Sequence, residues 1–60
     1  MDKAFVKGLR LLEALAQSDD ARGISELAGE LSLTKSNVHR LLATLQAHGY
    51  VFQSPHNSRY

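Results

Sequence analysis

The sequence has no cysteine, no tryptophan and a single proline among its 60 residues. The absence of cysteine excludes disulfide bonds and cysteine-based metal sites, and it fits a reducing compartment such as the cytosol. No apolar run approaches the roughly 20 residues of a membrane span, so we expect no association with a membrane. A chain this short buries only about 60% of the surface that its unfolded form exposes. It therefore has room for one small domain and none for a catalytic pocket with its own scaffold, and we expect no enzyme activity.

Metal and cofactor chemistry has little support in the sequence. His39, His48 and His56 lack the spacing of metal ligands and have no cysteine or nearby acidic partner, which argues against a zinc site. There is no glycine-rich phosphate-binding loop, and nothing in the order of serine, histidine and aspartate indicates a catalytic triad. We therefore predict a protein without a cofactor or a bound metal.

Charge is unevenly distributed along the chain, although the formal net charge is only +1. Every acidic residue lies at or before Glu30, whereas Lys35, Arg40 and Arg59 follow it with no acid to oppose them. A surface of one sign is typical of proteins that bind nucleic acid, because it meets a polyanionic backbone. Because three cations are few, chance clustering is an alternative explanation. The charge pattern alone therefore leaves nucleic-acid binding open.

The first predicted helix spans about Asp2 to Gln17, with Asp2 as its N-cap. Its apolar face is defined by residues at helical spacing, namely Phe5, Leu9, Leu12 and Ala16. Further apolar residues, including Ala4 and Leu11, widen this face beyond what one small domain needs. We therefore predict that part of this helix packs against a second copy of the chain.

A second, shorter helix is predicted from about Glu26 to Leu31. Ser25 is its expected N-cap, since a serine hydroxyl accepts an otherwise unpaired backbone N–H at a helix start. Ile24 precedes this cap and is expected to fold back on the helix as a hydrophobic staple. The inward side of the helix is predicted to carry Leu27, Ala28 and Leu31.

The third predicted helix follows a tight turn and spans about Lys35 to His48. Thr34 is its expected cap, and Gly49 stands where a left-handed residue is needed to end it. Its apolar stripe consists of Val38, Leu41, Leu42 and Leu45. These residues and the inward side of the second helix fall at spacings that let the two helices share one core.

Beyond Gly49 the sequence period changes. Tyr50–Gln53 is aromatic and β-branched, which predicts a strand, and Ser54–Asn57 has the chemistry of a turn. Ser58–Tyr60 then begins a returning strand. With the short helix, tight turn and longer helix before it, this pattern predicts a mainly α fold: a three-helix winged helix-turn-helix with a small C-terminal β-hairpin as the wing.

The third helix is the predicted recognition helix, which in a helix-turn-helix enters the major groove of DNA. Opposite its apolar stripe, the helical projection places small residues and hydrogen-bond donors but no acid. The candidate DNA contacts are Ser25, Lys35, Ser36, Asn37, His39, Arg40, Thr44 and Arg59. Arg40 is expected to bind guanine and Lys35 a phosphate. Each of these side chains also has a simpler interpretation as a cap, a solvated helix surface or an ordinary loop residue.

The segment from Ser25 to Val51, SELAGELSLTKSNVHRLLATLQAHGYV, resembles the N-terminal DNA-binding domain of the IclR family of transcriptional regulators. The portions KSNVHRLLATL and HGYV carry the most specific likeness, and GLRLLEALA at residues 8–16 and the closing RY agree with it. The resemblance covers the chain from about Phe5 to Tyr60.

This resemblance implies sequence-specific binding to double-stranded DNA operators, as a repressor or an activator in the bacterial cytoplasm. It also implies that residues 1–60 are one domain of a longer regulator, which acts as a homodimer or homotetramer and binds a small-molecule effector through a further C-terminal domain. Three positions depart from the family pattern: Ser32 replaces a common glycine, Thr34 a common proline, and Asn37 a common threonine or serine. Ser32 is expected to cost turn stability, and Asn37 to alter the base sequence that is read.

Two alternative functions are open at this point. A winged helix used for protein–protein contact is disfavoured by the acid-free outer face of the third helix, and the salt dependence of binding separates it from a DNA reader. A regulator from another winged-helix family is disfavoured by the KSNVHRLLATL segment.

Overall fold

A computed structural model of the protein describes every residue from Met1 to Tyr60 and contains three α-helices and no strand. Helix α1 spans Lys3–Ala16, α2 spans Ile24–Leu31 and α3 spans Lys35–Ala47. The predicted mainly α, three-helix architecture is therefore confirmed. None of these helices has the length and apolar character needed to cross a membrane.

Local capping fixes where α1 and α3 begin. The Oδ1 atom of Asp2 accepts hydrogen bonds from the backbone N–H groups of Ala4 and Phe5, at 3.0 and 3.2 Å. Thr34 has the same role for α3, since its Oγ1 accepts the N–H of Asn37 at 3.1 Å. Both predicted caps are confirmed, because each gives a partner to first-turn amides that the helix itself leaves unpaired.

Helix α3 ends at a left-handed glycine, as the sequence predicts. Gly49 has a φ of 81°, and its N–H donates to the carbonyl oxygen of Gln46 at 3.1 Å. The next N–H, of Tyr50, donates to the carbonyl oxygen of Leu45 at 2.9 Å. These two bonds satisfy carbonyls that the helix leaves unpaired. The last helical residue is Ala47, one position earlier than predicted.

Helix α2 begins two residues earlier than predicted, and Ser25 is not its cap. Gly23 occupies the N-cap position, and Ile24, the expected staple, is the first helical residue. The Glu26 carboxylate reaches back from inside the helix, where its Oε1 accepts the N–H of Gly23 at 3.2 Å. Because this contact anchors the chain at Gly23, the helix starts there and Ser25 lies exposed in the first turn.

The turn between α2 and α3 is built on a left-handed serine. Ser32 has a φ of 58° and a ψ of 42°, a conformation in which a Cβ atom crowds the backbone. The N–H of Leu33 donates to the carbonyl oxygen of Ala28 at 2.9 Å, which closes the turn despite this strain. The expectation that Ser32 stands at a position suited to glycine is confirmed.

The core lies where the three helices meet. Its six buried residues are Leu11, Leu27, Ala28, Leu31, Val38 and Leu42. In α3, Val38 and Leu42 are fully buried, while Leu41 and Leu45 are half-buried and pack against the core. The predicted shared core of α2 and α3 is therefore confirmed.

The predicted apolar face of α1 is only partly buried. Phe5 and Leu9 are exposed, with 65% and 44% of their surface accessible, whereas Leu11 is completely buried. Ala14 and Leu15 accompany Leu11 against the core. Apolar residues lie on most sides of this helix, so periodicity alone admits more than one buried face. Packing against α2 and α3 selects the face that carries Leu11.

The predicted β-hairpin wing is not confirmed, and residues 50–60 form an irregular segment that we call the C-terminal loop. A single backbone hydrogen bond crosses it, from the N–H of Ser54 to the carbonyl oxygen of Arg59 at 2.6 Å. Tyr60 instead exchanges two hydrogen bonds of 2.7 Å with Arg22, in the connection before α2. Isolated pairs of this kind do not make a continuous ladder. The predicted turn is present over residues 55–57.

Candidate nucleic-acid interface

The outer face of α3 is the side opposite the fully buried Val38 and Leu42. It consists of the exposed residues Ser36, Arg40, Ala43 and Ala47, flanked by the exposed Lys35, His39 and Thr44. Asn37 is half-buried at its edge. The structure thus brings six of the predicted contact residues together on one helix, and the small side chains of Ala43 and Ala47 leave its backbone accessible to a base edge.

No carboxylate forms an ion pair with a cation of this outer face. Helix α3 carries Lys35 and Arg40 and contains no acidic residue. The three ion pairs of the structure all lie elsewhere, between Arg22 or Arg59 and glutamates of α2. The cations of α3 therefore remain available for an external anion.

Arg40 makes a hydrogen bond within the outer face. Its Nη2 donates to Oδ1 of Asn37 at 2.7 Å, one turn earlier in the helix. The hydroxyl of Thr44 donates to the backbone carbonyl of Arg40 at 3.2 Å. Because its proton is used in this bond, the hydroxyl can accept a hydrogen bond from a partner but cannot donate one. An arginine has five N–H donors. The bond to Asn37 therefore leaves the guanidinium of Arg40 able to bind two further acceptors.

The start of α3 offers unpaired backbone amides. The Thr34 hydroxyl satisfies the amide of Asn37, which leaves the amides of Lys35 and Ser36 without a helical partner. Both side chains are exposed. Because free amides and the helix dipole attract anions, this end of α3 has the electrostatics of a phosphate contact.

Arg59, predicted as a phosphate contact, is engaged inside the protein. Its Nη2 donates to Oε1 of Glu26 at 2.6 Å, and its Nε donates to the carbonyl oxygen of Ala21 at 2.9 Å. Arg22 approaches the same carboxylate with its Nε at 3.1 Å and donates from Nη2 to Glu30 at 3.0 Å. We call Arg22, Glu26, Glu30 and Arg59 the clasp, because together they fasten the C-terminal loop to α2.

The clasp shifts the protonation equilibria of two members. The N–H of Gly23 lowers the pKa of the Glu26 carboxyl below its ordinary value of 4.5; partial burial opposes this shift, and the charges of Arg22 and Arg59 reinforce it. Burial acts to lower the pKa of Arg22, but the hydrogen bond to Glu30 and the charges of both glutamates raise it overall. Both groups are therefore charged at neutral pH, and the start of α2 beside Ser25 is close to charge-balanced.

Sequence reasoning did not identify Arg22 or Glu26 as members of a site. Their spacing of four residues is a recognised signal for an ion pair, but Arg22 falls in a predicted loop. The contact between Glu26 and Arg59 joins residues 33 positions apart. No local pattern reveals a pair of that kind.

Comparison with known proteins places the chain among regulators. It matches the IclR helix-turn-helix domain over residues 4–55. It is 41% identical over 51 residues to the transcriptional repressor IclR of Escherichia coli (strain K12), which covers 85% of this chain and 19% of that protein. It is 35% identical over 54 residues to the HTH-type transcriptional regulator XynR of the same strain, which covers 90% and 21%. It is 40% identical over 58 residues to the glycerol operon regulatory protein of Streptomyces griseus, which covers 97% and 23%.

The chain therefore spans about a fifth of the length of these curated relatives. Each relative has the name of a regulator and none that of an enzyme. No solved structure gives a significant match.

Proposed function

Because the chain belongs to the IclR family of helix-turn-helix transcriptional regulators, we propose that it binds double-stranded operator DNA sequence-specifically, with α3 in the major groove. Family membership supports DNA binding and transcription regulation. The outer face of α3 is the observation that favours this helix as the recognition helix, since it is exposed, rich in hydrogen-bond donors and free of acid. Helix α3 also follows the tight turn from α2, as a recognition helix does.

Arg40 is the proposed base-reading residue, since a guanidinium donates two hydrogen bonds to O6 and N7 of guanine. Lys35 binds a phosphate beside the open start of α3. The surrounding polar residues complete the contact surface, namely Ser36, Asn37, His39 and Thr44. Ser25 and Arg59 are proposed phosphate contacts at its margin, Arg59 with the N–H groups that the clasp leaves free.

We further propose that these residues act as one domain of a longer regulator, because the relatives are roughly four times as long as this chain. In that protein the domain pairs in a homodimer or homotetramer on a palindromic operator, and a small-molecule effector binds in a further domain. Exposed Phe5 and Leu9 support pairing, because they leave an apolar patch on α1. The protein acts in the bacterial cytoplasm, as a repressor or an activator.

Selection of bound duplexes from a random DNA pool, at two salt concentrations, tests the function directly. We expect enrichment of one half-site, with binding that weakens as salt rises because bound phosphates release their counterions. Absence of binding at low salt contradicts the proposal and favours the protein–protein alternative. Analytical ultracentrifugation at high protein concentration tests the pairing, which a strictly monomeric profile contradicts.

Two alanine variants test the assignment of the face. Arg40→Ala is expected to cost about 1–3 kcal/mol of binding free energy and to relax specificity at one base, whereas Lys35→Ala weakens all sequences alike and reduces the salt slope by about one. Lys3→Ala is the matched control, because it removes the same charge from the exposed start of α1. If both α3 variants bind like the parent chain, the outer face of α3 is not the reading surface.

A further inference from the structure

Asn37 and Arg40 form a side-chain pair on α3 that, we propose, makes the helix read a guanine rather than an adenine. This inference rests on the proposed function, since it concerns α3 in the major groove. The distance from Arg40 Nη2 to Asn37 Oδ1 is 2.7 Å, a length typical of a charge-assisted hydrogen bond. Arg40 is exposed and Asn37 half-buried, so the pair lies at the surface that meets DNA.

The bond to Arg40 fixes the orientation of the Asn37 amide. A guanidinium has donors only, so the Asn37 atom that faces it is the oxygen. The backbone N–H of Asn37 is bound to Oγ1 of Thr34 at 3.1 Å, which anchors the residue in the first turn of α3. With its oxygen on Arg40, the amide directs its NH₂ group away from the pair. Both members then present donors to a partner.

A surface that presents only donors selects among base edges. Adenine shows the major groove an acceptor at N7 beside a donor at N6, and an asparagine reads both when its oxygen and nitrogen are free. Asn37 does not do this while its Oδ1 holds Arg40. Guanine shows two adjacent acceptors, O6 and N7, which match the N–H groups that Arg40 retains. Asn37 is therefore a positioning residue that aims Arg40.

The rest of the molecule leaves this pair undisturbed. No carboxylate binds Arg40, whereas the guanidinium groups of the clasp are held by glutamates. The Thr44 hydroxyl donates to the backbone carbonyl of Arg40 and does not compete for Oδ1 of Asn37. A polar pair three residues apart also stabilises a helix slightly. The experiment must therefore separate base selection from helix stability.

A double-mutant cycle, measured by DNA binding, separates the effect of the pair on base selection from its effect on helix stability. The parent chain, Asn37→Ala, Arg40→Ala and the double variant are titrated against the selected duplex and against duplexes with adenine in place of each guanine. We expect Asn37→Ala to lower the preference for one guanine by about fivefold or more. With alanine at position 40, the same change alters that preference by less than about twofold.

Two further variants distinguish positioning from a general loss. Asn37→Asp keeps an oxygen for Arg40, so it keeps the guanine preference while its negative charge weakens binding to every duplex. Asn57→Ala is the matched control, because it removes an exposed asparagine from the C-terminal loop and leaves the preference unchanged. Circular dichroism spectra that match the parent chain confirm that helix content is not the cause.

The outcomes separate failure of the pair from failure of the function. Equal effects of Asn37→Ala in both backgrounds, or an effect at a base that Arg40 does not read, overturn the inference while DNA reading by α3 stands. A parent chain that binds all duplexes alike overturns the proposed function as well. In the protein without DNA, Arg40→Ala is expected to shift the NMR signals of the Asn37 NH₂ group, and unchanged signals overturn the pair.

Discussion

Two regions of this chain use arginine in opposite ways. On α3, Arg40 contacts a neutral amide and no acid. In the clasp, Arg22 and Arg59 each contact a carboxylate, at distances of 2.6 to 3.1 Å. An arginine balanced by an acid gains less from a phosphate than one that lacks such a partner. Whether an arginine has an acidic partner, and not only where it lies, therefore determines how strongly it can attract an external anion.

The largest effect on stability is expected from a substitution in the core, because unfolding disrupts both arginine regions together. Leu42 is fully buried beneath the outer face of α3, and Leu42→Ala is expected to cost about 2–5 kcal/mol of unfolding free energy. This is a large part of the stability of so small a domain. Urea unfolding followed by circular dichroism measures it. Leu9→Ala, at an exposed position of α1, is the control, and an equal loss there would contradict the observed core.

A pair of arginine variants separates the two regions. Arg59→Ala removes the ion pair to Glu26 and the hydrogen bond to Ala21, and we expect a loss of about 1 kcal/mol because these groups are partly exposed. Arg40→Ala is expected to leave the unfolding free energy nearly unchanged, since its bond to Asn37 is exposed. Urea unfolding of both variants measures the difference. A larger loss for Arg40→Ala would reverse the roles that we assign.

The turn between α2 and α3 offers a change in stability that leaves both arginine regions and their charges intact. Ser32→Gly is expected to raise the unfolding free energy by about 0.5–1 kcal/mol, because glycine adopts the left-handed conformation without crowding by a Cβ atom. Ser32→Ala is the control and should bring no gain, since alanine keeps the Cβ atom. Thermal unfolding measures both variants, and a destabilised glycine variant would show that the serine is not strained.

The smallest effect is a pH dependence confined to the clasp. The pKa of Glu26 is lowered in the folded protein, first by the N–H of Gly23 and then by the charges of Arg22 and Arg59. Its contribution to stability is therefore complete above the ordinary value of 4.5 and is lost as the pH falls below it. We expect Glu26→Gln to lose stability less steeply over that range. Urea midpoints at a series of pH values test this, and identical slopes would refute it.

The helices and their ends follow from the sequence where their causes are local. Asp2, Thr34 and Gly49 act on backbone groups within one turn, so composition and spacing are sufficient to place them. The start of α2 is less predictable, because Glu26 and Ser25 are both plausible capping residues. The buried face of α1 depends on tertiary packing, which chooses Leu11 from several apolar residues.

The candidate site likewise has a part that local sequence spacing predicts and a part that depends on tertiary contacts. The residues on α3 could be grouped from the sequence because the buried stripe of Val38 and Leu42 fixes which side faces outward. The sequence groups Arg59 with the α3 cations because it lies in the half of the chain that lacks acids. Its partner Glu26 lies 33 positions earlier, so the difference between Arg59 and Arg40 emerges only from the folded chain.

The hydrogen bonds between Tyr60 and Arg22 have a consequence for the order of folding. Together with the contact from Arg59 to Ala21, which joins residues 38 positions apart, they close a ring around the helix-turn-helix. Closure of a ring this long costs chain entropy that the local helices do not, so we expect it to form last during folding and to open first. We therefore expect the amide protons of Arg22 and Tyr60 to exchange with solvent sooner than those of α2 and α3, because the chain opens at these contacts while the three helices are still intact.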